Sequence, residues 1–179
     1  MAHDEDTLGW RLMALSYKVR DALRPRGPYL EEAGVSEGMS VLDFGCGPGS
    51  YVVPAAQMVT ENGRIYALDI RQTALTMVRE RTLKLGISNV ETILSDCDTG
   101  LPAASIDVVL LYDIYHDLAY PAIILAELHR VIKPEGILSA HDHHLSRDVL
   151  KRMIETGGLF RATGMGARTL KFAPERKDA

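Results

Sequence analysis

The run Asp43-Phe44-Gly45-Cys46-Gly47-Pro48-Gly49 sets one carboxylate ahead of three glycines at alternate positions. Apolar Val41 and Leu42 precede it, and a helix-compatible segment opens at Ser50. Glycine permits backbone shapes and close approaches that a Cβ blocks. A strand, a glycine loop and a helix in that order therefore let a ligand lie against bare backbone. Asp43 narrows the choice of ligand. A dinucleotide would lay a doubly charged pyrophosphate on the loop, where this carboxylate repels it. An ammonium or sulfonium group is attracted instead.

Further chemistry-bearing residues recur downstream. Asp69 closes the next apolar run, Ile65–Ile70. A carboxylate at the end of the second strand, beside the first glycine loop, can accept hydrogen bonds from both hydroxyls of a ribose. In Ser95-Asp96-Cys97-Asp98 the Asp96 carboxylate can accept from an adenine amino group, and the Cys97 N–H can donate to a ring nitrogen. Asp98 reads as surface or as a cap for the next turn. Tyr112-Asp113-Ile114-Tyr115-His116-Asp117 and His141-Asp142-His143-His144 complete the set.

The elements that must position these residues follow from periodicity. An amphipathic helix is expected over 7–23, from the spacing of Leu8, Leu12, Leu15, Val19 and Leu23. Strands are expected at Val41–Phe44, Arg64–Ile70, Asn89–Leu94, Ile106–Tyr112 and Ile137–Ala140. Helices are expected at Tyr51–Val59, Thr73–Leu85, Ala122–Val131 and Ser146–Glu155, the last capped by Ser146. Leu159–Thr163 and Thr169–Phe172 flank Gly164-Met165-Gly166 and read as a closing hairpin. Strands alternating with helices imply a parallel sheet covered on both faces.

The 179 residues point to one domain, 46% hydrophobic and 25% charged, within the ordinary range for a globular chain. The formal net charge of −4 argues against general nucleic-acid binding. Cys46 and Cys97 form no CxxC pair, and two cysteines make no disulfide framework, so a reducing cytoplasm is the expected location. The acidic start, Met1-Ala2-His3-Asp4-Glu5-Asp6, is not a secretory signal. No apolar run approaches the roughly 20 residues of a membrane-spanning helix.

Five segments carry a family resemblance: Val41–Gly49, Ile65–Ile70, Leu94–Cys97, Ile106–Tyr112 and Arg130–Gly136. In this order they resemble the class I S-adenosylmethionine-dependent methyltransferases. The resemblance spans roughly residues 29–173 and departs from the usual pattern at Glu135, where a glycine is common. It implies a doubly wound, mostly parallel seven-stranded α/β sheet whose C-terminal hairpin supplies an antiparallel strand. It implies S-adenosylmethionine as cofactor and S-adenosylhomocysteine as product. The residues it places at the cofactor are Asp43, Gly45, Cys46, Gly47, Gly49, Asp69, Ile70, Asp96, Cys97 and Tyr112. Among these, Asp43 lies near the methionyl ammonium, Asp69 at the ribose, Asp96 and Cys97 at the adenine, and Tyr112 on the methionyl side.

Methyl transfer is a displacement at a sulfonium carbon with a neutral leaving group, so alignment of the nucleophile supplies most of the rate. A base helps only when the nucleophile carries a proton that must leave. His116 reads equally as that base or as a ring closing the pocket by hydrogen bonding. His141 and His143 share a face of an extended strand, which is workable ligand geometry. No acidic ligand pattern is evident beside them, and no metal is assigned. Trp10, Met13 and Tyr17 form one stripe, read as core packing or, for Tyr17, as lining of the transfer pocket. The segment after the fourth strand lacks the Asn/Asp-Pro-Pro-Tyr/Phe motif of exocyclic-amine methylation.

A small-molecule methyl acceptor is therefore expected, with a homodimer as one possible assembly. The core is similar to that of the methyltransferases of quinone biosynthesis. The alternatives are a protein or RNA methyltransferase with an open pocket and a non-catalytic S-adenosylmethionine-binding subunit. A nicotinamide dehydrogenase is disfavoured by Asp43 and by the Gly-x-Gly-x-Gly spacing.

Overall fold

The computed structural model describes residues 25–176. The expected helix over 7–23, with Trp10, Met13 and Tyr17, lies outside these residues. Among the described residues the elements run α1 (Gly27–Ala33), β1 (Ser40–Phe44), α2 (Val52–Val59), β2 (Arg64–Asp69), α3 (Gln72–Lys84), β3 (Val90–Leu94) and β4 (Ile106–Tyr112). A single 3-10 turn, Tyr115–Asp117, precedes α4 (Pro121–Val131), β5 (Ile132–His141), α5 (Arg147–Glu155), β6 (Phe160–Met165) and β7 (Leu170–Pro174).

The seven strands lie in the order β3-β2-β1-β4-β5-β7-β6. β1 pairs in parallel with β2 on one side and β4 on the other. β7 runs antiparallel to both β5 and β6, which is the expected hairpin ending. The chain reverses its direction across the sheet at the β1/β4 junction. In open α/β sheets a ligand crevice forms at the carboxyl ends of the strands at such a point.

Central strands explain the apolar runs. In β4 Val108, Leu110 and Tyr112 pack on one face with Leu30, Val52 and Leu75. Val109 and Leu111 pack on the other with Leu125, Leu128 and Ile154. A strand buried on both faces reads as a near-continuous apolar run rather than an alternation. Ser146 caps α5 as expected, its side chain accepting from the Val149 N–H.

Two expected boundaries are corrected. β5 begins at Ile132, not Ile137. Ile106 pairs with Ile132 and Val108 with Ile137, so Lys133–Gly136 bulges out opposite Asp107. Pro134 is tolerated there because no ladder N–H is needed. Asp107 anchors the bulge, accepting from Lys133 Nζ at 2.6 Å and the Ser40 N–H at 2.9 Å. A Cβ on Gly136 would stand 2.6 Å from Ile132 Cγ1 and 3.0 Å from the Asp107 carbonyl oxygen, so this close approach requires glycine. The other correction concerns the hairpin. Gly164 and Met165 belong to β6, and the turn is Gly166–Thr169, closed by the Gly166 N–H on the Thr169 carbonyl at 2.8 Å. Glu32 of α1 clamps that turn, accepting from the N–H groups of Arg168 and Thr169 at 2.9 and 3.0 Å.

Candidate active site

The glycine loop is fixed by β2. The N–H groups of Gly45 and Cys46 both donate to the Leu68 carbonyl, at 2.8 and 2.9 Å. Asp69, only 5% exposed, accepts from the Gly47 N–H at 2.8 Å and the Arg71 N–H at 2.9 Å. This bracing role for Asp69 was not legible in the sequence. Gly45 has φ +77, and a Cβ there would lie 2.6 Å from Ile114 Cγ1 of the loop after β4. Left-handed backbone costs a non-glycine residue about 1–2 kcal/mol, and the contact adds to it. Gly45→Ala is therefore expected to lower the melting temperature by roughly 4–8 °C in scanning calorimetry, at about 2–4 °C per kcal/mol for a chain of this size.

Asp43 sits beneath the loop, 2% exposed. Its Oδ2 is buried and has no hydrogen-bond partner among the described residues. Burial first, and then repulsion from Asp69, push its carboxyl up to about 7. Burial, with Asp43 and Asp69 nearby, also raises the Cys46 thiol well above its usual range and keeps it protonated.

Two cavities open at this edge of the sheet. A groove of about 500 Å³ is lined by Asp69, Ile70, Asp96, Cys97, Ile114 and Tyr120, among others. A polar cavity of about 460 Å³ is lined by Asp43, Gly47, Tyr51, Asp113, His116 and His143, among others. Gly45 and Asp117 border both. The expected cofactor residues thus divide between two adjoining spaces. Asp69, Ile70, Asp96 and Cys97 lie in the groove, and Asp43, Cys46, Gly47 and Tyr112 in the polar cavity. Gly49 lines neither; its Cβ position faces Val78 of α3 at 3.0 Å. The Cys97 N–H contacts Ser95 Oγ at 3.2 Å, and Asp98 accepts from the Gly100 N–H at 2.9 Å, the expected cap.

An aromatic wall backs the polar cavity. Tyr51 and Tyr112 pack with ring centroids 4.8 Å apart. Arg26 donates to the Tyr51 hydroxyl at 3.1 Å and lies 5.0 Å over its ring. The Tyr112 hydroxyl is 2.7 Å from Ser139 Oγ and 3.3 Å from the Tyr29 carbonyl oxygen. Burial raises both phenols, so both remain neutral.

Across the cavity the ends of β4 and β5 meet. Tyr112 pairs with His141, which brings the residues beyond each strand together. His116 Nδ1 lies 2.8 Å from Asp142 Oδ2, and the His116 N–H donates to the same oxygen at 3.1 Å. Asp142 Oδ1 accepts from the His144 N–H at 2.9 Å. Burial works to raise the Asp142 carboxyl, but the bonds from the His116 ring and from the His144 and His116 N–H groups together outweigh it and hold it below the usual range. An ionised Asp142 selects the His116 tautomer with its proton on Nδ1 and leaves Nε2 unprotonated, 3.6 Å from Asp117 Oδ2.

Asp113, in the left-handed region at φ +55, accepts from the His143 N–H at 3.1 Å and lies 2.9 Å from His143 Nδ1. Donor atoms of Asp113, Asp142 and His143 lie within 4.8 Å of one another, a spacing that could hold a cation. The sequence pairing of His141 with His143 is corrected here. β5 ends at His141, so His143 does not share its strand face, and the carboxylates beside them come from both strand ends.

The methyltransferase domain family matches residues 35–165. A crystal structure of an S-adenosylmethionine-dependent methyltransferase from Aquifex aeolicus superposes with a TM-score of 0.80 at 29% identity, covering 95% of this chain and 98% of that one. Coclaurine N-methyltransferase, crystallised with N-methylheliamine and S-adenosylhomocysteine, superposes with a TM-score of 0.57 at 27% identity, covering 64% of this chain and 33% of that one. Demethylmenaquinone methyltransferase of Geobacillus stearothermophilus is 28% identical over 119 residues, 66% of this chain and 51% of that protein. The chain spans about a third of the length of several other curated relatives that it matches. No helix among the described residues is long and apolar enough to cross a membrane.

Proposed function

Because the chain belongs to the class I S-adenosylmethionine-dependent methyltransferases, with S-adenosylmethionine as its cofactor, we propose that it methylates a small molecule through a nucleophile that must shed a proton. The observation that carries the donor half of this reading is the unpartnered Asp43 Oδ2, buried at the floor of the polar cavity, and the His116–Asp142 pair carries the acceptor half. A buried carboxylate oxygen without a donor is costly, and an ammonium group supplies both the missing donor and the opposite charge. The residues present therefore fit the methionyl end of the cofactor in the polar cavity and its adenosine in the adjoining groove. Asp69 would accept from the ribose hydroxyls with lone pairs left over from its two backbone bonds. Asp96 and Cys97 would meet the adenine.

When bound, S-adenosylmethionine supplies an electrophilic methyl group on a sulfonium. His116 then receives the acceptor's proton at Nε2, while Asp142 holds Nδ1 and stabilises the imidazolium that forms. With the methionyl end also in it, the polar cavity of about 460 Å³ leaves room for a compact acceptor. The named relatives, coclaurine and demethylmenaquinone methyltransferases, support the same substrate scale.

Calorimetric titration tests the donor. S-adenosylmethionine and S-adenosylhomocysteine are expected to bind in the micromolar range and NAD not at all. Binding of NAD alone would overturn the reading. Methyl-labelled donor incubated with fractionated cell extract is expected to label low-molecular-weight species. Label confined to protein or RNA would reject the small-molecule acceptor.

A further inference from the structure

Next to the polar cavity lies a second one of about 240 Å³, and His143 stands on the boundary of both. Part of its lining is apolar, from Leu145, Leu150 and Leu170. Arg147, Arg168 and His141 also line it. Both guanidinium groups are held in place by the fold. Arg147 donates to the Gly166 carbonyl at 3.1 Å and to the Ala167 carbonyl. Arg168 donates to Glu32 Oε1 at 3.1 Å and lies 5.8 Å over the Tyr29 ring, which in turn packs edge-on against His141 at 5.4 Å.

The two guanidinium groups differ in their charge partners: Arg168 is paired with Glu32 at 3.1 Å. Arg147 forms no ion pair among the described residues, its bonds going to neutral carbonyls. The acid on the wall, Asp142, has both oxygens committed to His116 and His144. Preorganised guanidinium forks above an apolar floor suit an anionic oxygen group carried on an apolar body. The unpaired charge of Arg147 would also draw such a molecule to this cavity.

We propose that this cavity binds the anionic group of the methyl acceptor. The acceptor is then a small acid, a carboxylate or a phosphate ester on an apolar frame. Its anion sits between Arg147 and Arg168, and its nucleophile reaches past His143 to His116. The inference rests on the methyl-transfer reading above and adds the acceptor's charge to it.

Calorimetry on the full chain, with and without saturating S-adenosylhomocysteine, separates the two. The probes are 4-hydroxybenzoate, its methyl ester and phenyl phosphate. At least one acid is expected to bind about tenfold or more tightly than the ester, as for charge-assisted bonds. That preference is expected to shrink with added salt and to vanish in Arg147→Met/Arg168→Met, with S-adenosylhomocysteine affinity unchanged. Whichever acid binds more tightly distinguishes a carboxylate from a phosphate site. Equal binding of acids and ester, no binding of either acid, or a preference that survives the double substitution would overturn the proposal. If the double variant does not fold, the acid-versus-ester comparison and its salt dependence on the unaltered chain decide. Failure of S-adenosylhomocysteine to bind would remove the donor reading instead, and the acid preference would still be read on the ligand-free chain.

Discussion

Asp43→Asn is expected to make the ligand-free protein more stable at pH 8 while abolishing S-adenosylmethionine binding. The two effects have one cause. In the folded chain, burial and the neighbouring Asp69 push the Asp43 carboxyl up to about 7, against about 3.9 for aspartate in an unfolded chain. Between these values the folded state holds a proton that the unfolded state has released. Stability therefore falls as pH rises from about 4 to about 7, and the loss is complete above the folded value. At about 1.4 kcal/mol per pH unit the full penalty is about 4 kcal/mol. Asparagine has the same shape and no charge, so it removes most of that penalty. A melting temperature several degrees above wild type at pH 8, with the difference closing near pH 4, is the expected result of paired scans.

The binding side runs the other way. In the proposed placement the methionyl ammonium needs Asp43 ionised, so wild-type affinity is expected to fall about tenfold for each pH unit below about 7. In Asp43→Asn the charge partner is gone at every pH, and binding should be lost throughout. A variant that is destabilised at pH 8, or that binds the donor as tightly as wild type, would refute this account of Asp43. A site that keeps a carboxylate in a position unfavourable to folding is a case of stability yielding to function.

Much of this site was legible in the residues, and what was not has a common physical origin. β1, β2 and β4 came out within one residue because buried parallel strands are written as apolar runs. The glycine loop and Asp69 were readable because they are close in sequence and their spacing is set by one strand–loop–helix–strand unit. The start of β5 was not, because a four-residue bulge containing Pro134 separates Ile132 from the rest of the strand and resembles a turn. The partner of His116 was missed for a different reason. Asp142 is 26 positions away, and only the parallel pairing of Tyr112 with His141 brings the two strand ends into contact. Periodicity assigns elements but not their neighbours. Once β4 and β5 are placed side by side, residues following each strand become candidates for contact, and both His116–Asp142 and Asp113–His143 follow. The Arg26–Tyr51 contact carried no local signal at all.

His116→Ala is expected to lower kcat by about 10²- to 10⁴-fold, the range for loss of a general base, with little change in S-adenosylhomocysteine affinity. The acceptor in this measurement is the one labelled in the donor screen. Asp142→Asn is expected to approach the same loss with the imidazole still present. In the proposed mechanism Asp142 acts as a positioning residue. Its ionised carboxylate accepts from His116 Nδ1 at 2.8 Å and so keeps the Nε2 lone pair available to the cavity. An asparagine can instead donate its amide N–H to Nδ1, which leaves the proton on Nε2 where it cannot receive another. A ring that merely closes the pocket would behave differently. Its loss would raise KM or weaken donor binding and leave the pH dependence of kcat intact. The decisive readout is thus the pH profile. In wild type kcat should rise with pH to a plateau, and in both variants that acidic limb should disappear. Asp142→Glu, which can still accept from Nδ1, should recover part of the rate and the limb with it. Should kcat and its profile survive His116→Ala unchanged, the acceptor arrives already deprotonated, and alignment behind the methyl group supplies the catalysis without a base.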